Sequence, residues 1–244
     1  MGGISSRRPA GAWLTDRGRR RESNEDAVGA DLEREVYVVA DGLGGLPGGE
    51  VASRITVEML VSALSLISRD KFLEVGIRNA VVEADVAIRR AGAADLRFAG
   101  MATTVVLAVG AEEAWVIAHV GDSRAYLFRD GRLCRLTTDH NVAAELVASG
   151  RISPAEAQHH PGRNVVTRTL GAGTPSDPDL RRVGRQPGDR LLLCTDGLAA
   201  VLDDDAIGQV LARCRTPEAC CRELVALAND GGGPDNITVI VVDV

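Results

Sequence analysis

Four aspartates stand at the ends of short apolar runs, each beside or near glycine, and this placement constrains the fold more than any other feature. They are Asp41, Asp122, Asp196 and Asp235. Apolar runs of this length that end at glycine and polar residues are typical of buried β-strands. Although a single Asp-Gly is most simply a turn, four such strand ends in one chain favour a fold in which they bring carboxylates to one place.

The order of the apolar runs and helical patterns predicts the fold class. Strands are predicted at 36–40, 101–109, 114–120, 125–128, 191–194 and 237–242. Helices are predicted at 50–67, 72–90, 204–213 and 217–228. The second helix is expected to bury Phe72, Val75, Ala80, Ala84 and either Ala87 or Ile88 on its inner face. Strands and helices occur in blocks rather than in strict alternation, which favours an α+β layered fold over a doubly wound parallel sheet.

The convergence of carboxylates has a chemical consequence. Clustered carboxylates repel one another and do not stay ionised together without cations. A ligand set made only of oxygen suits hard divalent ions such as Mg²⁺ or Mn²⁺. Glu25 and Asp26, in a polar segment near the start, could join this set, whereas Asp130-Gly131 has the pattern of a hairpin turn. The residues alone indicate a metal-dependent hydrolase and leave the cleaved bond open.

Composition bounds the setting. The 244 residues suit one domain, and 28 Lys+Arg against 34 Asp+Glu give a net charge of −6, which does not favour nucleic acid as a partner. The single lysine, Lys71, has no glycine loop before it, which excludes a Walker A phosphate loop. Because no apolar run approaches the ~20 residues of a membrane span and no secretory signal is visible, we expect a cytoplasmic protein without a membrane span.

Two segments differ from the rest of the chain. Residues 1–9 are predicted to be a flexible lead-in; they contain an MGxxxS pattern that also matches a myristoylation signal. Residues 10–244 are predicted to form a single domain. Within it, residues 139–171 have little core pattern and are predicted to form a flap-like, mobile excursion with two short helical pieces.

Five motifs, taken together and in order, resemble the metal-dependent serine/threonine protein phosphatases of the type 2C family. They are 18–26 (GRRRESNED), 40–45 (ADGLGG), 120–124 (VGDSR), 194–197 (CTDG) and 233–238 (GPDNIT). The segments 100–104 (GMATT) and 138–140 (TDH) also resemble the bacterial branch of that family. The resemblance covers roughly residues 12–243 and implies a four-layer αββα sandwich, with two central, mainly antiparallel sheets flanked by helices.

The resemblance also implies roles for individual residues. Asp41 would bridge two Mn²⁺ or Mg²⁺ ions, the carbonyl of Gly42 would bind the second ion, and Asp196 and Asp235 would hold the first. Asp122 would hold a third, weaker ion. The resemblance further implies that Glu25 and Asp26 would order water around the ions and that Arg21 would bind the substrate phosphate. Asn236 would orient the Asp235 segment.

The implied reaction is hydrolysis of phosphoserine and phosphothreonine in proteins by a metal-bridging hydroxide, so that the enzyme opposes a Ser/Thr kinase and acts as a monomer. Two alternatives stay open. One is an inactive phosphoprotein-binding regulator on the same fold, and the other is a phosphohydrolase of small molecules. One departure concerns the leaving group: animal members carry a histidine at the position of Leu43, and leucine cannot donate a proton. His140 or His160 could take that part, or could be surface or capping residues.

Overall fold

A computed structural model describes residues 10–173 and 177–244; the predicted lead-in at 1–9 lies outside the described residues. The ten strands of the described chain are β1 Ala10–Asp16, β2 Asp26–Asp31, β3 Val36–Asp41, β4 Val105–Ala111, β5 Ala114–Val120, β6 Arg124–Arg129, β7 Arg132–Arg135, β8 Asp179–Gly184, β9 Arg190–Cys194 and β10 Ile237–Asp243. Its seven α-helices are α1 Gly49–Leu66, α2 Leu73–Ala94, α3 Val142–Ala148, α4 Pro154–Ala157, α5 Asp196–Ala199, α6 Asp204–Arg213 and α7 Pro217–Asp230.

The strands form two five-stranded sheets in which every pairing is antiparallel. The first sheet has the order β2-β3-β4-β5-β8, and the second has the order β1-β10-β9-β6-β7. The first and last strands of the chain therefore lie side by side, with Thr15 opposite Thr238. Blocks of strands and helices thus assemble into an α+β fold, as the sequence predicts.

The sheets pack face to face, and helices cover both outer faces. The central layer includes Tyr37 and Trp115 of the first sheet, whose rings meet edge to face at 5.8 Å, and Leu193 and Ile240 of the second. Helices α1 and α2 cover the first sheet, while α6 and α7 cover the second. The result is the four-layer αββα sandwich that the family resemblance implies. No helix within the described ranges combines the length and apolarity needed to cross a membrane.

The structure corrects two sequence predictions within these layers. The strand predicted at 101–109 begins at Val105, because Thr103 pairs with the backbone of Gly42 and Leu170 instead of continuing the ladder. The inner face of α2 is also shifted: Phe72 and Val75 are 61% and 56% exposed, and the buried positions are Leu73, Ile77, Ala80, Val81, Ala84, Asp85, Ile88 and Gly92. The predicted face was wrong by one residue at its start.

Candidate active site

Strand register places carboxylates from both sheets at one end of the sandwich. In the first sheet, Asp26 opens β2 and Asp41 closes β3, and the two residues are direct partners in the ladder. Strands β3 and β5 are both antiparallel to β4, so they run in the same direction and end at the same end of the sheet. Asp41 closes β3, and Asp122 follows the end of β5 after Gly121. The antiparallel order therefore gathers three aspartates that are far apart in sequence.

The second sheet supplies the other two aspartates. Asp196 follows β9 and opens the short helix α5, and Asp235 immediately precedes Asn236 and β10. Strands β9 and β10 are antiparallel neighbours, so the end of one lies beside the start of the other. Asp41 and Asp196 face each other across the two sheets closely enough for the charge of Asp196 to raise the pKa of Asp41. All five aspartates that the sequence analysis placed in the site are thus brought to the same end.

Asp26 is fixed by two threonines and keeps one oxygen unused. Its Oδ2 accepts hydrogen bonds from Thr195 Oγ1 at 2.9 Å and from Thr238 Oγ1 at 2.7 Å. Its Oδ1 is buried and has no hydrogen-bond partner among the described residues. A buried carboxylate oxygen without a donor is costly, and an ion or an ordered water molecule is the usual partner at such a position.

The carboxylates raise one another's pKa values. Burial is the largest cause for Asp26, whose pKa rises to about 7, and for Asp122, whose pKa rises to about 8, with the charge of Asp196 adding to both. Burial raises the pKa of Asp41 well above its ordinary range, and the charges of four other aspartates raise it further: Asp26, Asp196, Asp122 and Asp235. The pKa of Asp196 is also raised, by burial and then by Asp235. The group is therefore an anionic cluster short of positive charge.

The backbone around Asp41 is held tightly. The Asp41 carbonyl accepts from the Thr104 amide at 2.8 Å and from Thr103 Oγ1 at 2.7 Å. The next residue, Gly42, donates its amide to the Glu25 carbonyl at 3.1 Å. A Cβ at Gly42 would lie 2.3 Å from the carbonyl oxygen of Gly49, so only glycine fits there. The loop 41–45 is thereby brought close to the start of α1.

Arg21 places a guanidinium at the rim of this cluster. Its Nη2 donates to Asp235 Oδ2 at 2.7 Å, and the same guanidinium lies against Gly44 of the 41–45 loop. The hydrogen bond that Arg21 donates to Asp235 raises the pKa of Arg21, so the side chain stays charged. Exposed and anchored at one nitrogen, it remains accessible to an anion from solvent.

Asn236 connects Asp235 to the Glu25 segment. Its Oδ1 accepts from the Glu25 amide at 2.8 Å, and its Nδ2 donates to the carbonyls of Arg17 and Ser23, at 2.9 Å each. The Glu25 carboxyl is half-buried, and its pKa is raised by burial and then by Glu50. The side chain of Asn236 thus holds the chain that brings Glu25 and Asp26 to the aspartates, while its place next to Asp235 links that chain to the Asp235 segment.

Residues 139–171 are anchored to the cluster at both ends. At one end, the His140 amide donates to the Gly121 carbonyl at 3.0 Å, while His140 Nδ1 accepts from the Gly121 amide at 3.0 Å. At the other, Leu170 and Thr103 exchange backbone hydrogen bonds of 2.8 and 3.0 Å. Between these anchors lie α3, α4 and a short 3-10 helix at Pro161–Asn164. The segment therefore leaves and rejoins the fold beside Asp122 and Asp41.

The sequence analysis missed one polar group beside Asp122. The rings of His119 and His140 stack at 4.5 Å, and these side chains form a potential metal-ligating group with Asp179. Arg168 already occupies this group, with Nη1 2.8 Å from His140 Nε2 and 2.8 Å from Asp179 Oδ1. Burial, followed by the charge of His119, lowers the pKa of His140 to about 4. The only sequence signal for this group of side chains was the segment 138–140 (TDH).

Leu43 lies half-buried in the 41–45 loop, and its amide donates to the Ala102 carbonyl at 2.9 Å. Of the two histidines considered above, His160 caps the 3-10 helix, with Nδ1 accepting from the Gly162 amide at 3.0 Å. His140 uses both ring nitrogens in the contacts with Gly121, Arg168 and Asp179. His160 is therefore a capping residue, and His140 contacts the backbone before Asp122.

The donor set fits hard divalent cations. It consists of carboxylate oxygens from both sheets, includes the unpartnered Asp26 Oδ1, and lacks the positive charge that ionised aspartates require. An αββα sandwich with carboxylates at the common end of its sheets and an arginine at the rim defines the class of metal-dependent phosphoester hydrolases.

Comparison with known families agrees with this class. The family described as protein phosphatase 2C matches residues 15–226, and the chain belongs to that family. The serine/threonine phosphatase stp of Listeria monocytogenes is 36% identical over 238 residues, covering 95% of this chain and 94% of that protein.

Solved structures extend the similarity to the whole fold. The serine/threonine phosphatase PstP/Ppp of Mycobacterium tuberculosis is 35% identical, with a TM-score of 0.90 over 97% of this chain and 98% of that one. The catalytic domain of PstP in complex with two manganese ions is 34% identical, with a TM-score of 0.86 over 96% and 97% of the two chains.

Proposed function

We propose that this chain hydrolyses phosphoserine and phosphothreonine esters in proteins with the help of divalent cations. One observation carries the proposal: Asp26, Asp41, Asp122, Asp196 and Asp235 meet at one end of the two sheets beside Arg21. Family membership supports it, since the relatives compared above are named serine/threonine phosphatases.

Asp41 is the residue proposed to contact two Mn²⁺ or Mg²⁺ ions, because it is surrounded by the other carboxylates. Asp196 and Asp235 would complete the first position, the Gly42 carbonyl would serve the second, and Asp122 would hold a third, weaker ion. Divalent cations at such a position lower the pKa of water and stabilise the charge that develops on a phosphoryl group.

The remaining site residues are assigned to substrate and water. Arg21, anchored on Asp235, offers its free N–H groups to two phosphoryl oxygens. Asp26 Oδ1 and the half-buried Glu25 carboxylate would orient water molecules beside the phosphate. No side chain is assigned as a nucleophile, so the phosphoryl group passes directly to water.

Residues 139–171 are proposed to act as a flap that influences the choice of protein substrate. Their anchors beside Asp122 and Asp41 support this role, since a bulky substrate bound at the aspartates would meet the intervening helices. A small phosphate ester would reach the same centre with fewer contacts to the flap.

The proposed partners are phosphoproteins, and a Ser/Thr kinase must supply them because only a kinase forms these esters. A monomer in the cytoplasm stays the predicted setting. The two alternatives, an inactive regulator and a small-molecule phosphohydrolase, find no support: every carboxylate named from the sequence is present in the described site.

The decisive experiment measures phosphate release from matched phosphothreonine, phosphoserine and phosphotyrosine peptides with Mn²⁺, with Mg²⁺ or with a chelator. We expect metal-dependent release from the first two peptides, slower release from phosphotyrosine, and none with the chelator. Release that persists in chelator would contradict the metal-dependent reaction. Hydrolysis of an aryl phosphate without release from any peptide would instead indicate a small-molecule phosphohydrolase.

A further inference from the structure

Four arginines stand within five residues beside the proposed catalytic site. They are Arg17, Arg19, Arg20 and Arg21, separated only by Gly18. The chain as a whole has a net charge of −6, so this turn is a local concentration of positive charge on an acidic protein. Arg21 contacts Asp235 and is already assigned to the phosphate, which leaves three cations without a part in the reaction.

The turn is held against the segment that carries Asp235. The Arg19 amide donates to the Gly233 carbonyl at 2.8 Å, and Asn236 Nδ2 donates to the Arg17 carbonyl at 2.9 Å. Gly18 has a φ of +80°, and a Cβ there would lie 2.1 Å from the Asp235 carbonyl oxygen. This close packing of the backbone fixes the positions of the arginine Cα atoms relative to the site.

The charges of this turn face solvent. Arg17, Arg19 and Arg20 are all exposed, and within the described part of the chain no carboxylate lies within ion-pair distance of their guanidinium groups. The nearby Asp16 directs Oδ1 inward, accepting from the Gly18 amide at 2.8 Å and from Asn229 Nδ2 at 3.1 Å. Arg17 Nη1 donates a hydrogen bond to the Glu22 carbonyl at 3.1 Å. Arg19 and Arg20 are therefore the most available of the set.

We propose that the turn 17–20 recognises acidic side chains that flank the phosphorylated residue of a protein substrate. The proposal rests on the proposed function and names its substrate class: phosphoserine and phosphothreonine sites with neighbouring Asp or Glu. A peptide whose phosphate lies at Arg21 and the aspartates has its adjacent residues beside this turn. Guanidinium groups pair with carboxylates through paired, planar N–H donors, a geometry that a lysine cannot offer.

The size of the effect follows from exposure. An exposed ion pair changes affinity by roughly 1.5- to 5-fold, so two such pairs give about 2- to 20-fold, and salt weakens both. The preference should therefore appear in kcat/KM for peptides and fade with ionic strength.

The test compares three phosphothreonine peptides that differ only in having Asp, Ala or Lys on both sides of the phosphorylated residue. The variant Arg19→Gln/Arg20→Gln removes two charges. The control Arg132→Gln/Arg215→Gln makes the same change in net charge at the opposite end of the second sheet, where both residues are exposed. An aryl phosphate is measured in parallel as the reference, and thermal unfolding checks that both variants are folded.

In the unaltered chain we expect kcat/KM for the Asp peptide to exceed that for the Ala peptide by about 2- to 20-fold at low salt, and the Lys peptide to be the slowest. The Arg19/Arg20 variant should lose most of this ratio and the control should keep it. Equal ratios in both variants, or no acidic preference in the unaltered chain, would overturn the recognition surface.

Two further outcomes are separable. If no peptide releases phosphate with metal present, the proposed function fails and this surface fails with it. If the Arg19/Arg20 variant leaves the peptide ratios unchanged but loses binding to a labelled single-stranded oligonucleotide, the turn is a nucleic-acid contact and the proposal is wrong.

Discussion

Asp139 and Asp122 are buried to a similar degree, with 8% and 5% of each residue exposed, but the charged groups around them differ. Arg124 meets Asp139 with two nitrogens, Nε at 3.0 Å and Nη2 at 2.7 Å. Asp122 and its neighbour Asp41 are instead surrounded mainly by other aspartates, which raise their pKa values after burial does. One carboxylate is neutralised by the chain itself, and the others depend on a cation from solution. A buried charge that the chain does not pair is thus a sign of a site.

The largest expected effect comes from removing a charge from the cluster. Asp41→Asn should lower metal-dependent turnover by roughly 10³-fold or more, because bound cations supply several kcal/mol of transition-state stabilisation. The same change should leave the metal-free protein as stable as before, or more so, because it relieves repulsion among the aspartates.

The control for that experiment is Asp130→Asn. Asp130 is also an Asp-Gly aspartate, but it occupies an exposed turn with a φ of 50°, a conformation that asparagine tolerates. Turnover on phosphopeptide with Mn²⁺ and unfolding in chelator should both be unchanged in this variant. Near-normal turnover in Asp41→Asn would contradict its place among the cation ligands.

The next largest effect tests the paired carboxylate. Arg124→Met should lower the free energy of unfolding by up to about 3–5 kcal/mol, because the buried Asp139 keeps only a longer contact, at 3.6 Å, with Arg135 Nη1. Arg124→Met/Asp139→Leu should recover much of that loss. Arg213→Met, which breaks the exposed pair with Glu223, should lower the free energy of unfolding far less, because solvent screens that pair. Urea unfolding in chelator measures all three, and equal losses for Arg124→Met and Arg213→Met would remove the distinction between the pairs.

The smallest effect is a pH dependence of the metal-free protein. Asp26 and Asp122 have folded-state pKa values of about 7 and about 8, above the ordinary 3.8, so the folded state holds more protons than the unfolded state between these limits. The contribution of these two groups to stability is therefore fully present below about pH 4 and is lost as pH rises towards 7 and 8.

Chemical unfolding across that range, with chelator and with Mn²⁺, measures this slope. Bound cations favour the ionised carboxylates, so the fall should be smaller or reversed with metal present. Asp122→Asn should flatten the slope in chelator. A metal-free protein that becomes steadily more stable from pH 5 to pH 8 would contradict the raised pKa values.

The sequence predicted the buried strands well because they are continuous apolar runs. It assigned no strand at β1, β2, β7 or β8, most of whose residues are half-buried or exposed and include glycine, aspartate and arginine. All four are edge strands, so each pairs with only one neighbour. Their strand geometry comes from backbone hydrogen bonds to a central strand, which leave no hydrophobic pattern to detect.

Helix α2 shows a different limit. Periodicity predicted that Phe72 and Val75 face the core, but Asp85 is buried on the true face, where its carboxylate accepts from the Gly171 amide at 2.7 Å and pairs with Arg89. A pattern that scores aspartate as polar cannot place it inside. A tertiary hydrogen bond to the end of the 139–171 segment thus satisfies Asp85 on the buried face of this helix.

The site also contains residues that the sequence could reveal and residues that it could not. Four aspartates could be found because strand ends and glycines mark them, and their convergence follows from the antiparallel order. The threonines that hold Asp26 and the stacked pair of His119 and His140 depend on contacts between distant segments, for which a single sequence has no local signal. Such contacts follow only once strand register is known.

The pairing of β1 with β10 has a consequence for synthesis. A nascent chain that already displays Asp26, Asp41, Asp122 and Asp196 still lacks Asp235 and the strand that β1 needs as its partner. Until residues 235–243 leave the ribosome, the arginine turn has no segment to pack on, and the carboxylate set is incomplete. The first sheet can form early, whereas the second can be completed only late, because its edge strand β1 pairs with β10, the last strand of the described chain. Phosphatase activity should therefore arise in one step once residues 235–243 can fold against β1, rather than gradually as the chain lengthens.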